Sequence, residues 1–341
     1  MGKVFKAFLI NSIIFTLFHF DGLSSEYVIG FGSCLHQDYP QPIWEQVKKQ
    51  SPNLFIMLGD NVYGDTYGNI DNLNNAYQKQ KLVLEKFKLD FPFLAIWDDH
   101  DFGKNDGGNE YIFKNSSKQL FLKYWKIPQD DNRYQRDGLY FEKILNFEHG
   151  TVQILILDTR YFRSSLLKNQ KTVKNGMGDY FPDYDSKKTM LGKIQWKWLI
   201  KALEREVDVR VIGTSIQLLA EGHRWERWGN FPNERKKLLK LLSKTSNNKA
   251  IVISGDRHLG GIYKFIDRNG ATIYEITSSS MNMPSRIQHE NGPLRIGDIY
   301  SQENFGIIRM NLKLKSVNIE LHGLNDGLVR SEFIGLQNQT N

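Results

Sequence analysis

Residues 94–108 read LAIWDDHDFGKNDGG. Leu94, Ala95, Ile96 and Trp97 form an apolar run that ends abruptly in Asp98, Asp99, His100 and Asp101. Three carboxylates set around one imidazole repel one another, which is costly unless a cation sits among them. A strand that leaves a core and at once presents such a cluster predicts a functional site at its carboxyl end. The rest of the sequence repeats the pattern.

YVIGFG (27–32), LFIMLG (54–59), FLAIW (93–97), VQILILD (152–158), VRVIGT (209–214) and AIVISG (250–255) are each continuously apolar, as strands covered on both faces are. YEITSS (274–279), FGIIRMNL (305–312) and VNIELHG (317–323) add strands towards the C-terminus. Helices are expected over 40–50, 71–88, 191–205 and 232–244; Pro42 suits a first helical turn, and 191–205 carries apolar residues at helical spacing. Strand–helix alternation early and bare strands late predict an α/β domain of two sheets enclosed by helices. With no internal repeat or linker, one domain from 26 to 335 is expected, followed by a tail over 336–341.

The chain has 341 residues, 40% of them hydrophobic and 13% aromatic, enough for one large core. Residues 1–25 differ from the rest. Lys3 and Lys6 precede an apolar stretch closed by DGLSS, the layout of a signal peptide cleaved near Ser24 or Ser25. No later segment approaches a membrane-spanning length, so a secreted protein without a transmembrane segment is expected. Cys34 is the only cysteine, which excludes an internal disulfide and leaves a thiol that is either buried or held by a metal. The formal charge of +7 is spread along the chain, without a nucleic-acid motif, and a mild positive field suits an anionic substrate. Asn115 and Asn338 begin glycosylation sequons, relevant only in a eukaryotic source.

Reactive side chains fall at strand ends. Cys34 follows 27–32, and Asp60 and Tyr63 follow 54–59 in GDNVYGD. Asp99 and His100 follow 93–97, Asp158 and Arg160 close 152–158, and Asp256 and His258 follow 250–255 in SGDRHLGG. Taken singly, each is more often a turn, a cap or an ion pair. Jointly they indicate one crevice, because the carboxyl ends of strands in open α/β sheets converge on the ligand. Oxygen donors suit iron(III), calcium, manganese or magnesium, while thiolate and imidazole favour iron or zinc, so the mixed set predicts two dissimilar ions. Two ions can clamp a phosphoryl oxygen and ionise a water, and Arg160 would supply a planar donor pair to phosphate.

These residues resemble those of the calcineurin-like metallophosphoesterases and, more narrowly, of the PhoD-type alkaline phosphatases. The resemblance rests on GSC (32–34), GDNVY (59–63), WDDHDFGKND (97–106), LDTR (157–160) and SGDRH (254–258), with WERWGNFPNER (225–235) as a further segment. It implies a four-layer α-β-β-α sandwich and a site of iron plus calcium. By position, Asp60 would bridge the ions, Cys34, Tyr63 and His258 would hold the iron, and Asp99 and Asp256 would bind the second ion. His100 would contact the scissile phosphate or the leaving oxygen, and Arg160 would grip the phosphate. Asp256 and Cys34 depart from the wider superfamily's usual residues and count against a zinc pair. Asp98, Asp101 and Asp106 could ligate calcium or order the loop.

The expected activity is hydrolysis of phosphomonoesters or phosphodiesters, with nucleotide or lipid phosphoesters among the substrates, by direct attack of a metal-bound hydroxide. Aromatic residues Tyr161, Phe162, Tyr180, Phe181, Trp225 and Trp228 lie on loops expected to wall the cleft. The alternative is a catalytically inactive metal- or ligand-binding member of the same fold, disfavoured by the presence of both His100 and Arg160. A serine hydrolase lacks its G-x-S-x-G motif here, and a Cys34 nucleophile would leave the acids unexplained.

Overall fold

Apolar strands need cover on both faces, and two mixed sheets stacked between helices supply it. The computed structural model describes residues 26–66, 68–169, 178–244 and 249–336. The leader expected over 1–25 and the Asn338 sequon lie outside the described residues. In the first sheet β1 (Tyr27–Gly32), β2 (Leu54–Leu58) and β3 (Phe93–Ile96) run parallel. Antiparallel β13 (Asn304–Asn311), β14 (Ser316–Gly323) and β15 (Gly327–Gly335) extend it beyond β1, in the order β15-β14-β13-β1-β2-β3.

The second sheet is built on parallel β5 (Gly150–Ile156), β8 (Val209–Gly213), β9 (Lys249–Ser254) and β11 (Thr272–Ser278). Antiparallel β4 (Phe141–Phe147), β10 (Gly260–Ile266) and β12 (Arg295–Tyr300) complete the order β12-β10-β11-β9-β8-β5-β4. A short ribbon pairs β6 (Leu167–Lys168) with β7 (Tyr180–Phe181).

Alternation along the strands sorts the layers. Ile154, Ile156, Val211, Ile251 and Ile253 join one buried cluster with Ile29, Phe31 and Ile56 of the facing sheet. Their neighbours Leu155, Leu157, Ile212 and Val252 turn the other way, onto Trp196 and Leu199 of α6 (Gly192–Leu203) and Leu238 and Leu242 of α7 (Pro232–Leu242). On the outer side of the first sheet, Trp44 of α1 (Ile43–Lys49) meets Phe55 and Phe93 edge-on. Tyr77 of α2 (Asp71–Glu85) packs on Tyr124 of α4 (Lys114–Tyr124). The result is the four-layer α-β-β-α sandwich. Each large apolar side chain fully buried in it contributes about 1.5–3 kcal/mol.

The strands and helices read from the sequence lie within a few residues of their expected places. β4, the β6–β7 ribbon, β10, β12, β15 and α4 go beyond the expected elements. β4 and β15 are partly exposed edge strands, with Leu328 and Phe333 open to solvent, so their apolar signal is broken. β10 opens on Gly260 and Gly261, and α4 is rich in polar residues.

The parallel strands of both sheets end on the same side. Gly59, one residue past β2, has φ +104, and a Cβ there would lie 2.3 Å from the Asp98 Cβ and 2.6 Å from its backbone nitrogen. Only glycine lets the β2 turn pass so close to the β3 turn. Gly59→Ala is expected to destabilise the protein by about 1–3 kcal/mol from backbone strain alone. Urea unfolding measures this, and an unchanged midpoint would contradict it.

Candidate metal centre

The loops that follow the strands hold non-glycine residues in left-handed backbone: Cys34 (φ 58°), Asp60 (φ 48°), Asp106 (φ 52°), Asp256 (φ 72°) and His258 (φ 56°). Such conformations are uncommon outside glycine, and they cluster where function requires a side chain to be aimed. All five belong to the donor groups described next.

Ligand atoms of Cys34, Asp60 and His258 lie within 4.8 Å of one another, as do those of Asp60, Asp99 and His100. Two further groups join Asp98 with Asp99 and Asp256, and Asp99 with Asp106 and Glu226, on the same criterion. Asp60 therefore belongs to two adjacent groups and Asp99 to three. Cys34 Sγ lies 3.4 Å from Asp60 Oδ2. Tyr63 Oη donates to the same oxygen at 3.4 Å and lies 3.1 Å from His258 Nε2. The structure thus brings Cys34, Asp60, Tyr63, Asp99, Asp256 and His258 into one continuous cluster that takes residues from both sheets.

Burial makes that cluster expensive to charge. Desolvation raises the Asp60 carboxyl, and the charges of Asp99 and Cys34 raise it further. Asp256 is raised by burial and by Asp98 and Asp99. Burial pushes the Cys34 thiol up to about 12. Asp99 goes the other way: burial would raise it, but the charges of His100 and Arg160 hold it below the usual carboxylate range. Asp98 Oδ2 is a buried carboxylate oxygen with no hydrogen-bond partner. An orphaned carboxylate oxygen among crowded oxygen, sulfur and nitrogen donors fits cations: thiolate and imidazole at one end, carboxylates alone at the other.

His100 is held from behind. Its Nδ1 lies 2.5 Å from Asp65 Oδ2, while Asp65 Oδ1 accepts the Asn105 backbone N–H at 2.6 Å. The Tyr63 ring packs on the His100 ring with centroids 4.3 Å apart. Burial would lower the imidazole, but the charges of Asp99 and Asp60, with the hydrogen bond and charge of Asp65, raise it to about 11 in the absence of cations, which favours the protonated ring. Asp65 ends the GDNVYGD stretch. It was not singled out, although its place in the Asp60–Tyr63 loop was a usable signal.

Arg160 is fully buried. Its Nε lies 2.5 Å from Asp98 Oδ1, its Nη1 pairs with Glu226, and its Nη2, without a hydrogen-bond partner, lies 4.0 Å from Asp99 Oδ1. Glu226 also takes Arg163 at 3.1 Å. Glu226 lies between Trp225 and Arg227 inside the WERWGNFPNER segment, with nothing in its local sequence to mark it as a partner of Arg160. Removing one partner of such a buried ionic network typically costs about 3–5 kcal/mol.

Other acids order the loops. Asp101 accepts the backbone N–H groups of Asp98 (2.6 Å), Asp60 (3.2 Å) and Asn61 (3.3 Å). Asp158 accepts from Trp97 Nε1 and the Arg160 backbone N–H, each at 2.9 Å, and from Leu139 N–H at 2.8 Å, so it is a structural clamp. Asp106 accepts from Tyr180 Oη at 2.6 Å. Of the other loop aromatics, Tyr161 and Trp228 are buried, Trp225 is 39% exposed, and Arg224 lies over the Phe181 ring at 5.6 Å.

The PhoD-like phosphatase family matches residues 72–332, and the chain belongs to that family. It is thereby a phosphoric ester hydrolase by family, and its clustered acidic, thiol and imidazole donors could hold metal ions. No curated protein matches it in sequence. Among solved structures, "Structure of PhoD" is similar with a TM-score of 0.68 at 15% identity, over 91% of this chain and 68% of the other. The purple acid phosphatase PPD1 from yellow lupin gives 0.61 at 12% identity, over 92% and 54%. GAP50, described as the anchor in the inner membrane complex of Plasmodium, gives 0.59 at 12% identity, over 92% and 90%. These likenesses establish the metallophosphoesterase fold. Among the described residues no helix is long and apolar enough to cross a membrane.

The acids set a pH signature for the protein stripped of cations. Burial raises Asp101 to about 8; burial, Glu226 and Asp99 raise Asp106 to about 7; burial, partly opposed by Arg160, raises Asp98 to about 6. In the unfolded chain all three titrate near 3.9. The folded state therefore binds more protons between about pH 4 and pH 8, and chelated protein loses stability as pH rises through that window. A divalent cation held by the ionised carboxylates of the folded state would restore stability at the upper end. Tm measured across the window with and without chelator checks both signs; a chelated protein that gains stability with pH would contradict the assignment.

Proposed function

We propose that this chain is a secreted metal-dependent phosphoesterase acting on small phosphomonoesters or phosphodiesters, nucleotide and lipid esters among them. The observation that carries the reading is Asp60 and Asp99 shared between adjacent donor groups, with the His100 ring and the Arg160 guanidinium beside them. In this reading Cys34, Asp60, Tyr63 and His258 hold iron, and Asp60, Asp99 and Asp256 hold calcium, with zinc, manganese or magnesium as the other occupants to test. When bound, the ions neutralise phosphoryl oxygens and bring a water to ionisation near neutral pH, which permits direct displacement at phosphorus without a phosphoenzyme.

The chain's own residues supply the rest. Asp65 takes the Nδ1 side of His100, which leaves Nε2 and its proton for the departing oxygen of the ester. Arg160 acts first through Asp98 and Glu226, holding the acids in place, and Nη2 is the donor it has left for a phosphate oxygen. Tyr63 supports His100 by stacking, and its hydroxyl, which donates to Asp60 in the absence of cations, would give up that hydrogen to hold the iron. Export rests on the leader over 1–25, and a secreted product beginning near Glu26 is expected on N-terminal sequencing.

Turnover of a chromogenic phosphomonoester and its matched diester, in calcium and after chelation, tests the function. Activity is expected to be chelator-sensitive and to fall on the order of 10³-fold or more in Asp60→Asn. His100→Asn is expected to lower kcat by about 10²–10⁴-fold with a smaller change in KM. No turnover of either ester by protein shown to carry its metals would favour the alternative, a catalytically inactive binding member of the fold.

A further inference from the structure

Ser279 is the first residue beyond β11 and is fully buried. Its Oγ lies 3.3 Å from Cys34 Sγ and accepts the backbone N–H of His258 at 2.9 Å. A backbone N–H can only donate, so the Ser279 oxygen is the acceptor towards His258. The single hydroxyl hydrogen is then left for the sulfur, and a thiolate can only accept it. Ser33, the other hydroxyl near the sulfur, is farther at 3.5 Å and also directs a bond to the Ser278 carbonyl. The strand tail that carries Ser279 is itself tied to the Cys34 loop, since Met281 N–H donates to the Ser33 carbonyl at 3.1 Å and Asn282 N–H to the Cys34 carbonyl at 3.3 Å.

We propose that Ser279 is a positioning residue of the metal centre: its hydroxyl donates to the Cys34 thiolate and accepts from the His258 backbone, so that one side chain couples two ligands of the same cation. The proposal rests on the metal-binding reading of Cys34 and His258 and concerns how that ion is held. Both residues sit in left-handed backbone, which an outside contact must keep in place. One hydroxyl steadies both turns, although they come from different sheets. The donated hydrogen also withdraws electron density from the sulfur and so sets the electronic character of the bound ion.

The test uses the full chain loaded with Co²⁺, whose thiolate-to-cobalt charge-transfer band reports on the sulfur. Ser279→Ala is expected to move that band to lower energy and to weaken cobalt binding about 10–100-fold in competition with a chelator. Ser279→Thr keeps the hydroxyl and is expected to restore both. Ser33→Ala is expected to leave the band near its original position. Should the alanine variant fail to fold, the cobalt–sulfur stretching frequency of the Ser33→Ala protein serves instead, and it should shift on transfer to D₂O if the Ser279 hydrogen lies on the sulfur. A band and affinity unchanged in folded Ser279→Ala, or no isotope shift, would overturn the role of Ser279 while leaving the metal centre intact. No thiolate band in the unaltered protein would overturn the inference together with the reading of Cys34 as a ligand.

Discussion

Everything at the strand ends answers to one constraint, which is negative charge removed from water. Asp60, Asp98, Asp99 and Asp101 are buried and Asp256 is half-buried, and a desolvated carboxylate is unstable unless protonated, hydrogen-bonded or paired. The protein uses several of these remedies within one cluster. Backbone N–H groups satisfy Asp101. Arg160 and the Ser215 hydroxyl satisfy one oxygen of Asp98. His100 and Arg160 keep Asp99 ionised. The other oxygen of Asp98 has no hydrogen-bond partner, and it lies beside Asp99 and Asp256 in the donor cluster.

The same constraint explains why the supporting residues are so numerous. Arg160 sits between Asp98 and Glu226, and Glu226 in turn takes Arg163, so a cation is held in place by acids that are themselves held by cations. Asp158 fixes the turn that carries Arg160 and also receives Trp97, whose ring packs into the core against Phe102 and Phe121. The opening run of apolar residues before Asp98 is therefore coupled to the chemistry through its last member. Trp97 anchors the β3 end to the β5 end, and the acids that follow are fixed relative to both sheets.

Much of this was legible because each informative strand was short, apolar and ended in an unusual residue type. Hydrophobic runs that are buried on both faces cannot be mistaken for surface, and β2 and β8 are buried throughout. Edge strands such as β4 and β15 left no such mark, since one face is wet and the other only partly covered. At the site, side chains that lie next to the strand ends were readable. Those that reach in from elsewhere were not. Glu226 arrives from a distant segment, whereas Asp65 and Ser279 do follow strands but bond to His100 and Cys34, partners far away in the sequence. Pairing across space leaves no period in a sequence.

The assembly of the site from two sheets has a mechanical meaning. Cys34 and Asp60 belong to one sheet and Asp256 and His258 to the other, with about 220 residues of chain between Cys34 and His258. An ion gripped by both sets closes that length of chain into a loop, as a covalent crosslink would, and the entropic gain from closing a long loop is large in principle. A chain with a single cysteine has no internal disulfide to do this. An ion held at this centre would thus also staple the two halves of the sandwich, and loading it would lock the fold.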